Sequence, residues 1–373
     1  AVLADTICIG DLGHRLAGPR FFFFYTFADE PEAGSGFPPG TVFLPRWQVA
    51  GSRGDYFAVA NLPVDVDAPV EILAEKVLAA HAKFQVFDYP EPAREGPLPI
   101  RVRESEEVGG RPFQERVARA LDKIRAGAFE KLVLSRALDF TMSGEAEPLD
   151  WLNHLREKYR ECHSFSVSKG GGESFVGLTP ELLLRTEGAE LQTEALAGSA
   201  PRGSSAGEDA RFAAELLASE KDLHEHALVA ESIARRLDGL GVKAQVESRP
   251  GLRVLPNVQH LLSRIRGEMA GGARFWELLR ALHPTPAVGG TPRDDVLTAI
   301  AELEDHPRGL YAGTLGWAAP GGDGQAVVAI RSGLVRGAQV RLYAGAGIVE
   351  GSVPESEKHE TDLKLQVLLE ALG

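Results

Sequence analysis

The run from Phe165 to Gly203, FSVSKGGGESFVGLTPELLLRTEGAELQTEALAGSAPRG, alternates β-branched or aromatic residues with glycine turns and predicts a meander of antiparallel strands. Upstream, RPFQERVARALDKIRAG (111–127) spaces Val117, Leu121 and Ile124 along one face and reads as an amphipathic helix. It leads into KLVLSRALDF, a strand beginning at Lys131, and a second helix near 149–160. Downstream, PRGSSAGEDA (201–210) reads as a loop. From Glu208, periodicity through Leu217, Leu228, Val229, Ile233 and Leu237 predicts one long helix that bears Glu225 and closes with glycine C-cap chemistry. Strands return at VQHLLSRIRGEM (258–269), and a last helix is expected from near Pro354 to Leu372. Residues 1–110 read as short strands separated by turn clusters such as PEAGSGFPPG (31–40), with one helix around 71–84 and no chemical motif. Clusters of strands and of helices, without regular βαβ alternation, predict an α+β fold of layered antiparallel sheets packed with helices. With no repeat and no clear linker, the chain reads as one unit over 1–373.

Composition narrows the function. The chain is 44% hydrophobic and 25% charged over 373 residues, ordinary for a folded soluble protein. A net charge of -13 and the lack of any run of five Lys or Arg argue against a nucleic-acid partner. An acidic protein that takes an anionic substrate must supply positive charge locally, from a few placed cations or a metal ion. Cys8 and Cys162 have neither zinc spacing nor a disulfide framework, which points to a reducing cytoplasm. Phe21 to Phe24 is too short to cross a bilayer, and no signal-peptide pattern is visible.

The last ninety or so residues carry the chemistry. LHPTPAVGGTPRDDVLTAIAELE starts at Leu282, RGLYAGTLGW at Arg308, IRSGL at Ile330, and LYAGAGIVEGSVPESEKHETDLK ends at Lys364. Glycine-rich turns, an arginine, two glutamates and a lysine in that order suit a magnesium-assisted site for a dicarboxylate. Together with KLVLSR (131–136), LTPELLLR (178–185), EALAGSAPRG (194–203), SEKDLHEH (219–226) and VQHL (258–261), these runs resemble the chorismate-binding enzyme family, most closely its isochorismate synthases. The resemblance covers roughly residues 110–373 and implies the fold of the chorismate-utilising enzymes, chorismate as substrate, Mg²⁺ as cofactor and a monomer.

Carried over residue by residue, the resemblance implies that Lys131 activates a water for attack on the chorismate ring. A lysine opening a strand is ordinarily an exposed charge, so this role predicts burial or cationic neighbours that ease its deprotonation. Glu181, in TPELLL, matches the family's general acid. Hydroxide is a poor leaving group, and a protonated carboxyl beside it would help by about 10²–10⁴-fold. Glu225 and Glu360 match the magnesium ligands. Asp222 and Glu357, each three residues earlier on the same helical face, would be water-mediated partners. Such pairs are ordinarily solvated helix surface, and Glu360 with Lys364 has the spacing of a plain i, i+4 ion pair. Arg331 and Tyr311, with Gly345 and Gly347, match the family's grip on the substrate carboxylates, with Lys364 and Gly198 completing the ring-carboxylate end. His260, Ser199, Ala287 and Val288 would lie beside the ring.

The choice of nucleophile follows from one run. Family members that use ammonia to make anthranilate or aminodeoxychorismate typically show P-x-G-T-x-S-G-x-P-K where this chain has HPTPAVGGTPRDD, and no amidotransferase segment is visible. Water is therefore the expected nucleophile and isochorismate the expected product. Salicylate synthases, which also eliminate pyruvate, tend to carry threonine at the place of Ala287. The same motifs would also be compatible with a catalytically silent chorismate-binding protein. The VQHL run and the short N-terminal region lean toward menaquinone rather than siderophore supply.

Overall fold

The computed structural model describes residues 6–52, 54–86, 101–269 and 274–370. Strands β1 (Phe21–Tyr25), β2 (Gly40–Phe43), β3 (Trp47–Ser52) and β4 (Asp55–Ala60) precede helix α1 (Val70–Val86) and β5 (Val102–Glu107). Next come α2 (Phe113–Arg125), β6 (Lys131–Met142), α3 (Pro148–Lys158), β7 (His163–Gly170), β8 (Glu173–Thr179), β9 (Leu182–Glu187) and β10 (Glu190–Pro201). Helices α4 (Ala206–Ala218) and α5 (Glu220–Asp238) lead to β11 (Ala244–Val246), β12 (Gly251–Val254) and β13 (Val258–Glu268). The chain continues through α6 (Phe275–Leu282), β14 (Gly290–Thr291) and α7 (Arg293–Leu303). It ends with β15 (Thr314–Ala318), β16 (Gly324–Val328), β17 (Ser332–Arg336), β18 (Gln339–Val349) and α8 (Pro354–Leu369).

Two large sheets dominate this α+β fold. One has nine strands in the order β11-β13-β10-β9-β16-β15-β1-β2, with β12 on β13. The other has seven, in the order β14-β6-β18-β17-β8-β7, with β5 on β6. The longest pairings, β10 with β13 and β6 with β18, are antiparallel and carry Gly198, Ser199, His260, Lys131, Gly345 and Gly347. The main apolar core runs from Phe23 and Leu184 in the larger sheet to Leu134 and Ile348 in the smaller, and takes in Val117, Leu121 and Ile124 of α2, the spacing read from the sequence.

The long helix expected from Glu208 is two. Ser219 ends α4, and its hydroxyl accepts from the Asp222 N–H to start α5. Ser219-Glu220-Lys221-Asp222 is a helix-start signature that outcompetes the unbroken apolar periodicity. The break also aims Glu225 from the second turn of α5. The loop expected over 201–210 is partly helical from Ala206, because Arg202 clamps Asp209 through two hydrogen bonds of 2.6 and 2.7 Å. The left-handed glycine after α5 is Gly241, φ 73°, rather than the cap residue Gly239, φ -59°. The predicted residues 371–373 of the last helix, and 87–100 of the N-terminal region, lie outside the described residues.

Candidate active site

Two short crossings between the two sheets run side by side. Pro180 and Glu181 link β8 of the smaller sheet to β9 of the larger, and Ala329 to Arg331 link β16 to β17 in the reverse sense. The crossings hold each other. The Val328 N–H donates to the Glu181 carbonyl at 3.2 Å, and the Leu178 N–H donates to the Arg331 carbonyl at 3.1 Å. Arg331 sits at φ 51°, a left-handed conformation rare for a side-chain-bearing residue and characteristic of functional turns.

A cavity opens at these crossings. Glu181, Arg331, Ala287, Val288 and Tyr311 line it, as do Gly198 and Ser199 of β10 and His260 of β13. Gly345 and Gly347 of β18, Glu225 of α5, and Glu360 and Lys364 of α8 complete the wall. Lys131, Asp222 and Glu357 stand behind it.

Lys131 is fully buried, and its Nζ lies 2.9 Å from Glu225 Oε1. Its charged partner is thus a carboxylate, whereas the sequence reading allowed for cationic neighbours. Gly347 makes the pair possible. A Cβ there would lie 2.2 Å from Glu225 Oε1 and 3.1 Å from Lys131 Cε, so any side chain at this position would force Glu225 to shift.

Glu181 is 3% exposed. Burial, opposed in part by the charge of Lys131, pushes its carboxyl up to about 8, so it keeps its proton at neutral pH. The Thr285 hydroxyl is 3.5 Å from Glu181 Oε1, at the limit of a hydrogen bond.

On the adjacent crossing, Arg331 Nη2 donates to His260 Nε2 at 3.0 Å, while its buried Nη1 has no hydrogen-bond partner among the described residues. A guanidinium can only donate, so His260 Nε2 must accept and the ring proton resides on Nδ1. Burial and the Arg331 charge hold this imidazole well below its ordinary range, which keeps it neutral. Nδ1 then donates to Ser199 Oγ at 2.8 Å, leaving the Ser199 hydroxyl proton available to a ligand. Lys364 bonds Glu360 Oε1 at 2.6 Å and the Gly345 carbonyl at 2.8 Å. Tyr311 stacks on Tyr343 with ring centroids 5.1 Å apart, and burial raises its phenol above the usual range. A Cβ at Gly345 would come within 3.0 Å of the Tyr311 hydroxyl.

The donor set suits a hard divalent cation. Glu225 and Glu360 present carboxylate oxygens to the cavity. Lys221 holds Glu357 at 2.7 Å, and Asp222 accepts from Ser219. Burial, outweighing the Ser219 hydrogen bond and the Lys221 charge, leaves Asp222 above the usual carboxylate range. Burial and the charge of Glu360 do the same to Glu357. Burial also pushes Glu360 up, but Lys364, Lys221 and Arg331 outweigh it and hold that carboxyl low. Among the described residues no three His, Cys, Asp or Glu side chains form a metal cage of their own. A cation here would thus need substrate oxygens and water beside Glu225 and Glu360, the habit of Mg²⁺.

Several residues of the wall escaped sequence reasoning. Tyr343, Val133, Pro180, Leu196 and Ile330 line the cavity as ordinary apolar positions, with no sequence signal beyond adjacency to the motifs. Lys221, the partner of Glu357, had a usable signal, since it stands four residues before Glu225 on the same helical face.

The chorismate binding enzyme family profile matches residues 1–373. Isochorismate synthase MenF of Bacillus subtilis is 33% identical over 365 residues, 97% of this chain and 76% of that protein. Isochorismate synthase DhbC of the same organism is 37% identical over 303 residues, 76% of each chain. The structure of the menaquinone-specific isochorismate synthase MenF from Escherichia coli superposes with a TM-score of 0.80 at 27% identity, covering 95% of this chain and 79% of that one. Family profile, relatives and the two-sheet cavity agree that this chain belongs to the chorismate-binding enzyme family.

Proposed function

We propose that the protein is an isochorismate synthase, an isomerase that adds water at ring carbon 2 of chorismate and expels the hydroxyl of carbon 4. The observation that carries this reading is Glu181, a buried carboxyl that stays protonated at neutral pH in a cavity whose Arg331 Nη1 has no partner among the described residues. An acid poised near 8 suits a leaving hydroxide, and the free Nη1 edge of a buried guanidinium suits an incoming carboxylate. The names of the relatives point the same way.

In this mechanism Arg331, Tyr311 and the Gly345–Gly347 backbone hold one carboxylate, and Lys364 and Gly198 border the other. Glu225 and Glu360 would hold Mg²⁺, which would supply positive charge to the ring carboxylate. Lys131 acts as the neutral amine, after releasing the proton it carries in its pair with Glu225, and takes the proton of the attacking water; Glu181 delivers its own to the departing hydroxyl, and Ala287 and Val288 place no polar side chain beside the ring to promote further elimination. Neutral His260 fixes Ser199 as a hydrogen-bond donor and exchanges no proton itself. Supply of menaquinone synthesis is the favoured pathway, on the likeness to the menaquinone-specific MenF structure.

The test is to incubate the protein with chorismate, with and without Mg²⁺ and without ammonia, and resolve the products by chromatography. Isochorismate in equilibrium with chorismate, formed only with Mg²⁺, is expected. Salicylate with pyruvate would move the protein to the eliminating branch, turnover only with ammonia would remove water from the mechanism, and binding without turnover would make it a silent chorismate-binding protein. Gly347→Ala should lower turnover by about 100-fold or more, because its methyl would displace Glu225 from Lys131. Wild-type turnover by that variant, measured as chorismate consumption, would show that the close approach is not needed.

A further inference from the structure

The wall carrying Ala287 and Val288 is barely part of a sheet. Its strand β14 has two residues, Gly290 and Thr291, paired with Leu132 and Lys131 of β6, and the Val133 N–H adds one more bond to the Gly289 carbonyl at 2.8 Å. Beyond that point the ladder stops, and a side chain replaces it. The Arg308 guanidinium donates through Nη1 to the Val288 carbonyl and through Nη2 to the Val133 carbonyl, both at 2.8 Å. Glu304 grips the same guanidinium at Nε, 2.8 Å, and Nη2, 2.6 Å. Its Oε1 also accepts the Ser135 N–H at 2.6 Å. Both side chains are buried, at 1% and 2% exposure. The Phe27 ring centroid lies 4.0 Å from Arg308 Cζ.

We infer that Arg308, oriented by Glu304, is a positioning residue that sets the spacing between the Lys131 strand and the Ala287–Val288 wall; the inference rests on the proposed synthase reading. A buried ion pair is a poor way to gain stability over apolar packing, and its value lies in geometry. Here the planar fork meets two carbonyls and one carboxylate at once, which a lysine ammonium cannot do. Val133 and Val288 both face the cavity, and Lys131 is two residues from Val133, so a loosened brace would displace the reacting groups and leave the carboxylate grip of Arg331 and Lys364 intact.

The test compares Arg308→Lys and Glu304→Gln with Leu237→Ala, a core truncation on α5 away from the cavity, below all their melting transitions. Both brace variants should lose about 10- to 100-fold in kcat with KM for chorismate within about twofold of wild type. Leu237→Ala should melt earlier and keep its kcat. Amide hydrogen exchange gives a second readout that needs no turnover. Exchange over 131–135 and 285–291 should accelerate in Arg308→Lys and not in Leu237→Ala. Unchanged kcat in both brace variants of an active enzyme would overturn the inference, as would unchanged exchange in those segments. An inactive wild type would instead refute the synthase reading, leaving the exchange result to decide the brace.

Discussion

Replacing Lys131 with alanine is expected to lower turnover of chorismate by about 10²–10⁴-fold, the contribution of a placed proton-transfer group, while chorismate still binds. Binding should survive because the carboxylate contacts assigned to Arg331 and Lys364 do not involve Lys131. Stability should not be spared. Glu225, with a side chain 11% exposed, would lose the partner 2.9 Å away, and stranding one member of a buried pair costs about 3–5 kcal/mol. The double variant Lys131→Ala with Glu225→Gln separates the two effects, since neutralising the stranded carboxylate should recover much of the stability and none of the turnover. Thermal melting, chorismate binding by calorimetry and product formation check the three parts. Lys131→Ala turning over within tenfold of wild type would remove it as the base, and equal rescue of melting and turnover by the second substitution would make the pair structural only.

How much of this was legible beforehand varied with the range of the physics involved. The strands of the 165–203 meander and the β6 strand from Lys131 were visible because their signals are local, period-two alternation bounded by glycine. The ordered motifs named candidate residues that the fold gathers: those of β10, β13, β18, α5, α8, the two crossings and the segments of Ala287–Val288 and Tyr311 line one cavity, whereas Lys131, Asp222 and Glu357 lie outside its lining. The split at Ser219 was also local and was missed because apolar periodicity through Leu217 and Leu228 outweighed a capping pattern lying between them. By contrast, the ion pair of Lys131 with Glu225 joins residues from a strand and a distant helix. No spacing rule predicts it, and the reading that expected burial or cationic neighbours at Lys131 met the burial but had no means of seeing the carboxylate. The Arg308 brace is legible only in part: its i, i+4 spacing from Glu304 suggests a surface helix pair, whereas the pair is buried and bonded to two strand carbonyls.

Turnover should fall as pH rises through about 8, because the carboxyl of Glu181 is raised to that value and acts as an acid only while protonated. The isosteric Glu181→Gln variant keeps the shape and has no proton to deliver, so it should lose about 10²–10⁴-fold in kcat. The residual rate should lack the alkaline limb set by Glu181. Stability supplies a check with the opposite sense. A carboxyl whose folded value lies above its ordinary 4.5 is bound more tightly to its proton in the native protein than in the unfolded chain. That contribution is complete below about pH 4.5 and is lost as pH climbs through about 8, since ionisation then places a charge on a buried carboxyl that Lys131 offsets only in part. Glu181→Gln never ionises, so at pH 9 it should melt above wild type although it is nearly inactive. A catalytic loss paired with an alkaline gain in stability is the signature of a group kept neutral for use as an acid. An ionised, merely structural Glu181 would give neither the alkaline limb nor the gain.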